Sequence, residues 1–169
     1  MFTLVIGGAA SGKSQYAEAR ALSLPGRRIY LATMRPCDGE CLARIEKHRL
    51  QRAGGDFETV ERYVDLAGAP VPAGANILLE CVGNLLANEL YEPDGGGPDA
   101  ALRGIVALLS RCRNLTAVTS EVCSGGADYD ESTLLYLREL ARVNRALAAQ
   151  ADSVVEVACG LPHFWKGAP

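Results

Sequence analysis

Eight consecutive residues near the start, Gly7-Gly8-Ala9-Ala10-Ser11-Gly12-Lys13-Ser14, hold the first candidate chemistry of this chain. Glycines at 7, 8 and 12 open backbone conformations that side chains close, so successive N–H groups can turn toward one anion. A helix beginning near Lys13 adds the positive end of its dipole at the same point. Lys13 would reach the outer phosphates of a nucleoside triphosphate, and the Ser14 hydroxyl would sit on a magnesium ion bridging them. The spacing is that of a P-loop, and triphosphate binding anchors the whole reading.

Two further candidates follow. Arg44, His48 and Arg52 recur four residues apart in a helical stretch, flanked by Arg49. Such a stripe is either a solvated face or a second polyphosphate site. Arginines grip phosphates bidentately, and a neutral imidazole among them can attack an α-phosphorus to form a phosphoramidate. Glu80 ends the apolar run Ile77-Leu78-Leu79. A carboxylate at the end of a buried strand beside a P-loop can hold the magnesium through a water.

Positioning these groups needs alternating strands and helices. Phe2 to Ile6 is a short apolar run that reads as a buried strand, and Gln15 to Leu22 carries strong helix formers. Leu24-Pro25-Gly26 breaks that helix; Arg28 to Thr33 reads as a strand, Met34 to Gly39 as a turn and Glu40 to about Arg52 as a helix. Phe57 to Tyr63 is a short strand or extended connector, Leu66 to Ala75 a loop, and Asn76 to Glu80 a strand. Val82 to Tyr91 is helical, and the triple glycine within Glu92 to Pro98 predicts a mobile loop. Asp99 is expected to cap a helix running to about Cys112. Leu115 to Thr119 gives a strand, and Cys123 to Asp128 a loop at the strand end where parallel sheets meet ligands. A long amphipathic helix from Glu131 to Ala151 precedes the strand Ser153 to Ala158, with Gly160 to Pro169 as a tail. This alternation predicts one α/β domain over 1–169, a P-loop fold with a parallel sheet covered on both faces.

Bulk properties narrow the function classes. About half of the 169 residues are apolar, enough for one sizeable core, and the net charge of −3 gives no electrostatic reason to expect nucleic acid. No apolar span approaches the ~20 residues of a membrane helix, and the first run is too short for a signal peptide. A cytoplasmic protein is expected. The cysteines at 37, 41, 81, 112, 123 and 159 lack paired metal-ligand spacing, so neither a disulfide nor a structural zinc is expected.

In family order over nearly the whole chain, these residues resemble the adenosylcobinamide kinase / adenosylcobinamide-phosphate guanylyltransferase family of cobalamin biosynthesis. The matching pieces are the P-loop octet, Tyr30 to Thr33, Asp38-Gly39-Glu40, Arg44 to Arg49 with Arg52, Thr59 with Glu61, and Leu78 to Cys81 with Asn88. Ser120-Glu121-Val122, Arg142-Val143-Asn144, Gly160 to Pro162 and Lys166 complete the set. The Arg-Ile-x-x-His element at its distance from the P-loop is the most particular of them.

The resemblance implies a RecA-like, mostly parallel sheet and a homotrimer that works in two steps. ATP or GTP first phosphorylates the aminopropanol hydroxyl of the corrinoid substrate; GTP then gives GMP to a histidine, from which the corrinoid phosphate takes it. By residue-wise transfer His48 is the guanylylated histidine, with Lys13 as its catalytic partner at the phosphates. The octet, Ala32, Thr33, Met34, Arg49, Arg52, Glu61 and Glu80 would contact the guanine nucleotide or its metal, with Ser14 and Glu80 on Mg2+. The run from Ser120 to Asp128, Gly83 in place of a threonine, Phe57 in place of a tryptophan and the tail His163-Phe164-Trp165 depart from the family pattern. They keep a single-activity kinase of altered acceptor open as an alternative. A nucleotide-gated switch is disfavoured, because the guanine-reading Asn-Lys-x-Asp element is missing.

Overall fold

The computed structural model describes residues 1–51, 54–122 and 128–168, without the side chains of Glu40, Arg44, Lys47, His48 and Gln51. Strands β1 (Phe2–Ile6), β2 (Arg28–Ala32), β3 (Glu58–Glu61), β4 (Asn76–Leu79), β5 (Asn114–Val118), β6 (Ser153–Ala158) and β7 (Leu161–Lys166) form one sheet in the order β3-β2-β4-β5-β1-β6-β7. Every pairing is parallel except β6 with β7. Helices α1 (Lys13–Ser23), α2 (Gly39–Gln51) and α5 (Glu131–Gln150) follow β1, β2 and β5, and α3 (Val82–Tyr91) and α4 (Ala100–Leu109) together follow β4.

Both faces of the sheet are covered, and the period-2 alternation of each strand sorts its side chains between them. Phe2, Leu4, Ile29, Leu31, Ile77, Leu79, Leu115 and Ala117 face one core, which α3, α4 and α5 complete through Leu85, Leu86, Ile105, Leu108, Leu140 and Val143. Val5, Tyr30, Leu78, Val118, Val155 and Val157 face the other, closed by Ala17 and Ala21 of α1. The small residues on α1 bring that helix close to the central strand.

Several expectations need correction. The tail after Gly160 is not an irregular end: it turns at Cys159-Gly160, both at positive φ, and returns as the antiparallel edge strand β7. Glu92 to Pro98 is tied down rather than left mobile. Gly97 N donates to Glu89 O at 2.9 Å, Gly96 N to Glu89 Oε2 at 2.7 Å, and Asp94 receives the Arg35 guanidinium at 2.7 Å. Asp99 occupies the N-cap position of α4 without a side-chain cap, because its carboxylate takes Arg142 instead at 2.7 Å. A 3-10 turn, Leu66–Gly68, interrupts the expected loop and buries Leu66.

Candidate active site

The centre of the site is the turn from β1 into α1. Backbone bonds hold it from three sides: Ser11 N donates to Gly8 O, Gly160 N to Ser11 O at 2.8 Å, and Glu121 N to Gly7 O. A Cβ on Gly7 would lie 2.5 Å from Ser11 Oγ and 2.6 Å from Val157 O, so only glycine allows the octet to pack this tightly on β6. Ser11 Oγ is buried with no hydrogen-bond partner among the described residues. A buried hydroxyl without a partner, on a glycine-rich turn that leads into a helix N-terminus, fits a phosphate-bearing ligand. Lys13 Nζ crosses the loop to Gly8 O at 2.9 Å, which places the ammonium beside the amides.

Ala9 to Ser14 line a cavity of about 370 Å³ together with Gln15, Glu18, Tyr30, Met34, Leu78, Glu80, Cys81, Asn84, Val118, Ser120 and Val122. A second cavity, about 440 Å³, adjoins it and shares Tyr30, Met34 and Glu80 with it. Its other walls are Ala32, Thr59, Glu61 and Tyr63 at the ends of β2 and β3, and Pro36, Leu42, Ile45 and Arg49 on or before α2.

Glu80, on the common wall, is held by the backbone. Its Oε2 accepts from Thr33 N at 2.8 Å and from Met34 N at 3.0 Å. Two amide donors fix the orientation of this carboxylate on the wall. Thr33 is fully buried, with its hydroxyl donating to Cys81 O at 2.9 Å, and lines neither cavity. Asn88 stitches the same region: its Nδ2 donates to Thr33 O at 2.8 Å and Tyr63 O at 2.9 Å. Tyr63 gives its hydroxyl to Glu61 at 2.8 Å and lies under the Arg35 guanidinium, 5.2 Å from the ring centre. Burial, with the Glu61 bond second, pushes its phenol up to about 12, so it serves as a neutral donor.

The structure thus brings Ala9 to Ser14, Ala32, Met34, Arg49, Glu61 and Glu80 around two adjoining cavities, with Gly7 and Gly8 forming the support behind the first. His48 lies on α2, one residue before Arg49 and three after Ile45, both of which line the second cavity. The side chains of His48 and Arg44 lie outside the described residues, as do Arg52 and the Cys123–Ala127 part of the expected ligand loop. Ser14 and Glu80 both line the first cavity, and a hydroxyl with a carboxylate is the hard-oxygen donor set that magnesium takes.

Tyr30, Tyr63 and Thr59 belong to the walls although residue type alone did not single them out. Alternation along β2 could have flagged Tyr30, whose ring turns to the α1 face and meets Phe57 edge-on with centroids 6.4 Å apart. The departure at Gly83 also has a local reason: a side chain there would begin 2.7 Å from the Tyr136 hydroxyl, which fills that space.

The family described as cobinamide kinase / cobinamide phosphate guanyltransferase matches residues 3–164. The "Bifunctional adenosylcobalamin biosynthesis protein CobU" of Escherichia coli (strain K12) is 36% identical over 180 residues, covering 95% of this chain and 97% of that protein. Among solved structures, a Pyrococcus horikoshii OT3 protein aligns with a TM-score of 0.57 at 8% identity, covering 99% of this chain and 87% of its own. A "prototypical ATPase from the type III secretion system of pathogenic bacteria" aligns with a TM-score of 0.51 at 12% identity, over 96% of this chain and 56% of its own. At these identities the two structures speak for the fold, a P-loop NTPase sheet, and for nothing more.

Proposed function

The chain belongs to the cobinamide kinase / cobinamide phosphate guanyltransferase family, and from that premise we propose that it phosphorylates adenosylcobinamide and then transfers GMP to the product by way of His48. The phosphoryl donor is ATP or GTP, the guanylyl donor is GTP, and the final product is adenosylcobinamide-GDP. A cytoplasmic homotrimer belongs to the same reading.

One observation carries it: the P-loop cavity and the cavity walled by α2 share Tyr30, Met34 and Glu80. A triphosphate seated on the octet would extend over a common wall toward the helix that bears His48. In the first step the corrinoid hydroxyl gives up its proton to solvent, its oxygen bonds to the γ-phosphorus, the bond from that phosphorus to the β,γ-bridging oxygen breaks, and the nucleoside diphosphate leaves. Lys13 and the octet amides offset charge on the transferring group, which is where most phosphoryl-transfer catalysis arises. Ser14 and Glu80 would hold magnesium, which supplies further charge neutralisation when bound.

In the second step the neutral imidazole nitrogen of His48 bonds to the α-phosphorus of GTP and pyrophosphate leaves. The phosphate oxygen of the corrinoid then bonds to that phosphorus, the N–P bond breaks, and His48 is regenerated. Arg49 and Arg52 would balance negative charge during both halves.

Incubation with α-labelled GTP and magnesium, followed by digestion, should place acid-labile GMP on the peptide that holds His48. His48→Ala should lose the label and keep phosphoryl transfer to the corrinoid. A protein that turns over ATP on the corrinoid but never takes up label would be the single-activity kinase instead.

A further inference from the structure

Cys37 and Cys41 stand where the turn after β2 enters α2, and their sulfurs lie 3.0 Å apart. Asp38 sets this approach. Its Oδ1 accepts from Cys41 N at 2.7 Å and its carbonyl from Leu42 N at 3.0 Å, so it caps the first turn of α2 between the two thiols. Cys37 N donates to Arg35 O at 3.0 Å, which folds the incoming segment toward the helix. About 1 Å of further approach would bring the sulfurs to bonding distance. Cys37 is exposed and Cys41 half-buried, so an external reagent reaches Cys37 first.

Although cysteine spacing alone predicts no disulfide, the sulfurs meet in the fold, and we infer that Cys37 and Cys41 form a reversible disulfide by exchange with a small disulfide such as that of glutathione, and that the oxidised form fixes the wall of the second cavity. In the first exchange the Cys37 thiolate bonds to one sulfur of the reagent, the reagent's S–S bond breaks, and one thiolate leaves. Cys41 then loses its proton to solvent, its sulfur bonds to Cys37 Sγ, and the second reagent thiolate leaves. The protein pair is oxidised by two electrons and the reagent is reduced by two. The order follows from the pair itself. The Cys41 thiol is pushed up to about 11, first by its hydrogen bond with Cys37, then by desolvation and by Asp38. Its proton therefore stays in place while Cys37 acts as the nucleophile.

The consequence is local to the cavity. Met34 and Pro36 precede the pair and Leu42 follows it, and all three line the second cavity. A bond across 37 and 41 joins these two parts of the wall and restricts how α2 can move against the end of β2. An exposed bond of this kind belongs to the labile class rather than the structural one. Its effect on GMP transfer rests on the function proposed above; its formation does not.

The test begins with reduced full-length protein and glutathione disulfide. Intact mass should fall by two hydrogen atoms, peptide mapping should join Cys37 to Cys41, and dithiothreitol should restore the starting mass. Cys41→Ser should stop at a glutathione adduct on Cys37. GMP loading from labelled GTP should slow about fivefold in the oxidised protein and recover on reduction. A stable adduct on both cysteines of the wild-type protein, a bond made to Cys159 instead, or unchanged loading in protein carrying the bond would each overturn the inference. So would stoichiometric zinc held on the donors Cys37, Asp38 and Cys41, which converge within 4.8 Å, if it blocks exchange. A chain that closes the disulfide yet takes up no GMP when reduced refutes the proposed function and leaves the dithiol standing.

Discussion

Lys13 and Gly7 act on the same loop in different ways, and substitutions separate them. Lys13→Ala removes the ammonium and its bond to Gly8 O and leaves the glycine turn itself unaltered. It should lower kcat for phosphoryl transfer by about 10²- to 10³-fold, the usual cost of one lost charge-stabilising donor, with the thermal midpoint unchanged. Gly7→Ala inserts a methyl where Ser11 Oγ and Val157 O stand at 2.5 and 2.6 Å. Because Val157 O is backbone, the loop or β6 must shift, at a cost of about 1–3 kcal/mol. Both the denaturation midpoint and nucleotide binding should fall, and a variant with normal nucleotide affinity would refute this account of the cup. The octet was legible in the sequence because glycine spacing is local information. Ala32, Met34 and Glu61 of the second cavity were named through the family resemblance alone, because its walls come from β2, β3 and α2 and from the turns after β2, β3 and β4, and only folding brings Thr59 beside Arg49.

At the scale of elements, caps and edges decide where the site-bearing segments begin and end. Asp130 caps α5 by accepting from Thr133 N at 2.7 Å and from Ser132 Oγ at 3.0 Å. Those donors, the Thr133 backbone first, hold its carboxyl below the ordinary value, so folding favours the ionised form. Its contribution is complete above the unfolded carboxylate range near pH ~4 and fades as acid protonates the folded group. Thermal midpoints of wild type and Asp130→Ala, measured from pH 7 downward, should therefore stand apart at neutral pH and converge below about pH 4. Strand β7 shows the opposite side of legibility. Pro162 and Gly167 make its sequence read as an irregular tail, yet an edge strand tolerates proline, and pairing with β6 is a tertiary fact. Strands β1, β2 and β4 were legible because apolar runs bounded by turn residues need no partner to be recognised.

Across the whole molecule, stability is concentrated in the core beneath α3, α4 and α5. Leu140 is fully buried there, so Leu140→Ala should cost about 2–5 kcal/mol. That corresponds to a drop of about 10 °C in thermal midpoint for a chain of this size. Leu42, 54% exposed on the wall of the second cavity, should change the midpoint by less than about 0.5 kcal/mol when cut to alanine. Comparable losses at the two positions would contradict the placement of α2 at the edge of the fold. The parallel sheet and its two-sided covering were readable from the alternation of elements. The order of the strands was not, since neighbours such as β1 and β5 are far apart in the chain.

That order has a consequence for synthesis. Strand β1 is translated first, yet its two neighbours, β5 and β6, are made only after residue 113 and residue 152. The hairpin turn whose Gly160 amide holds Ser11 comes later still. A ribosome-bound chain carries the phosphate-binding octet from the outset without the strands that shape it. Competence to hold a nucleotide should therefore arise abruptly, once the residues up to Gly160 have emerged, rather than grow as the chain lengthens.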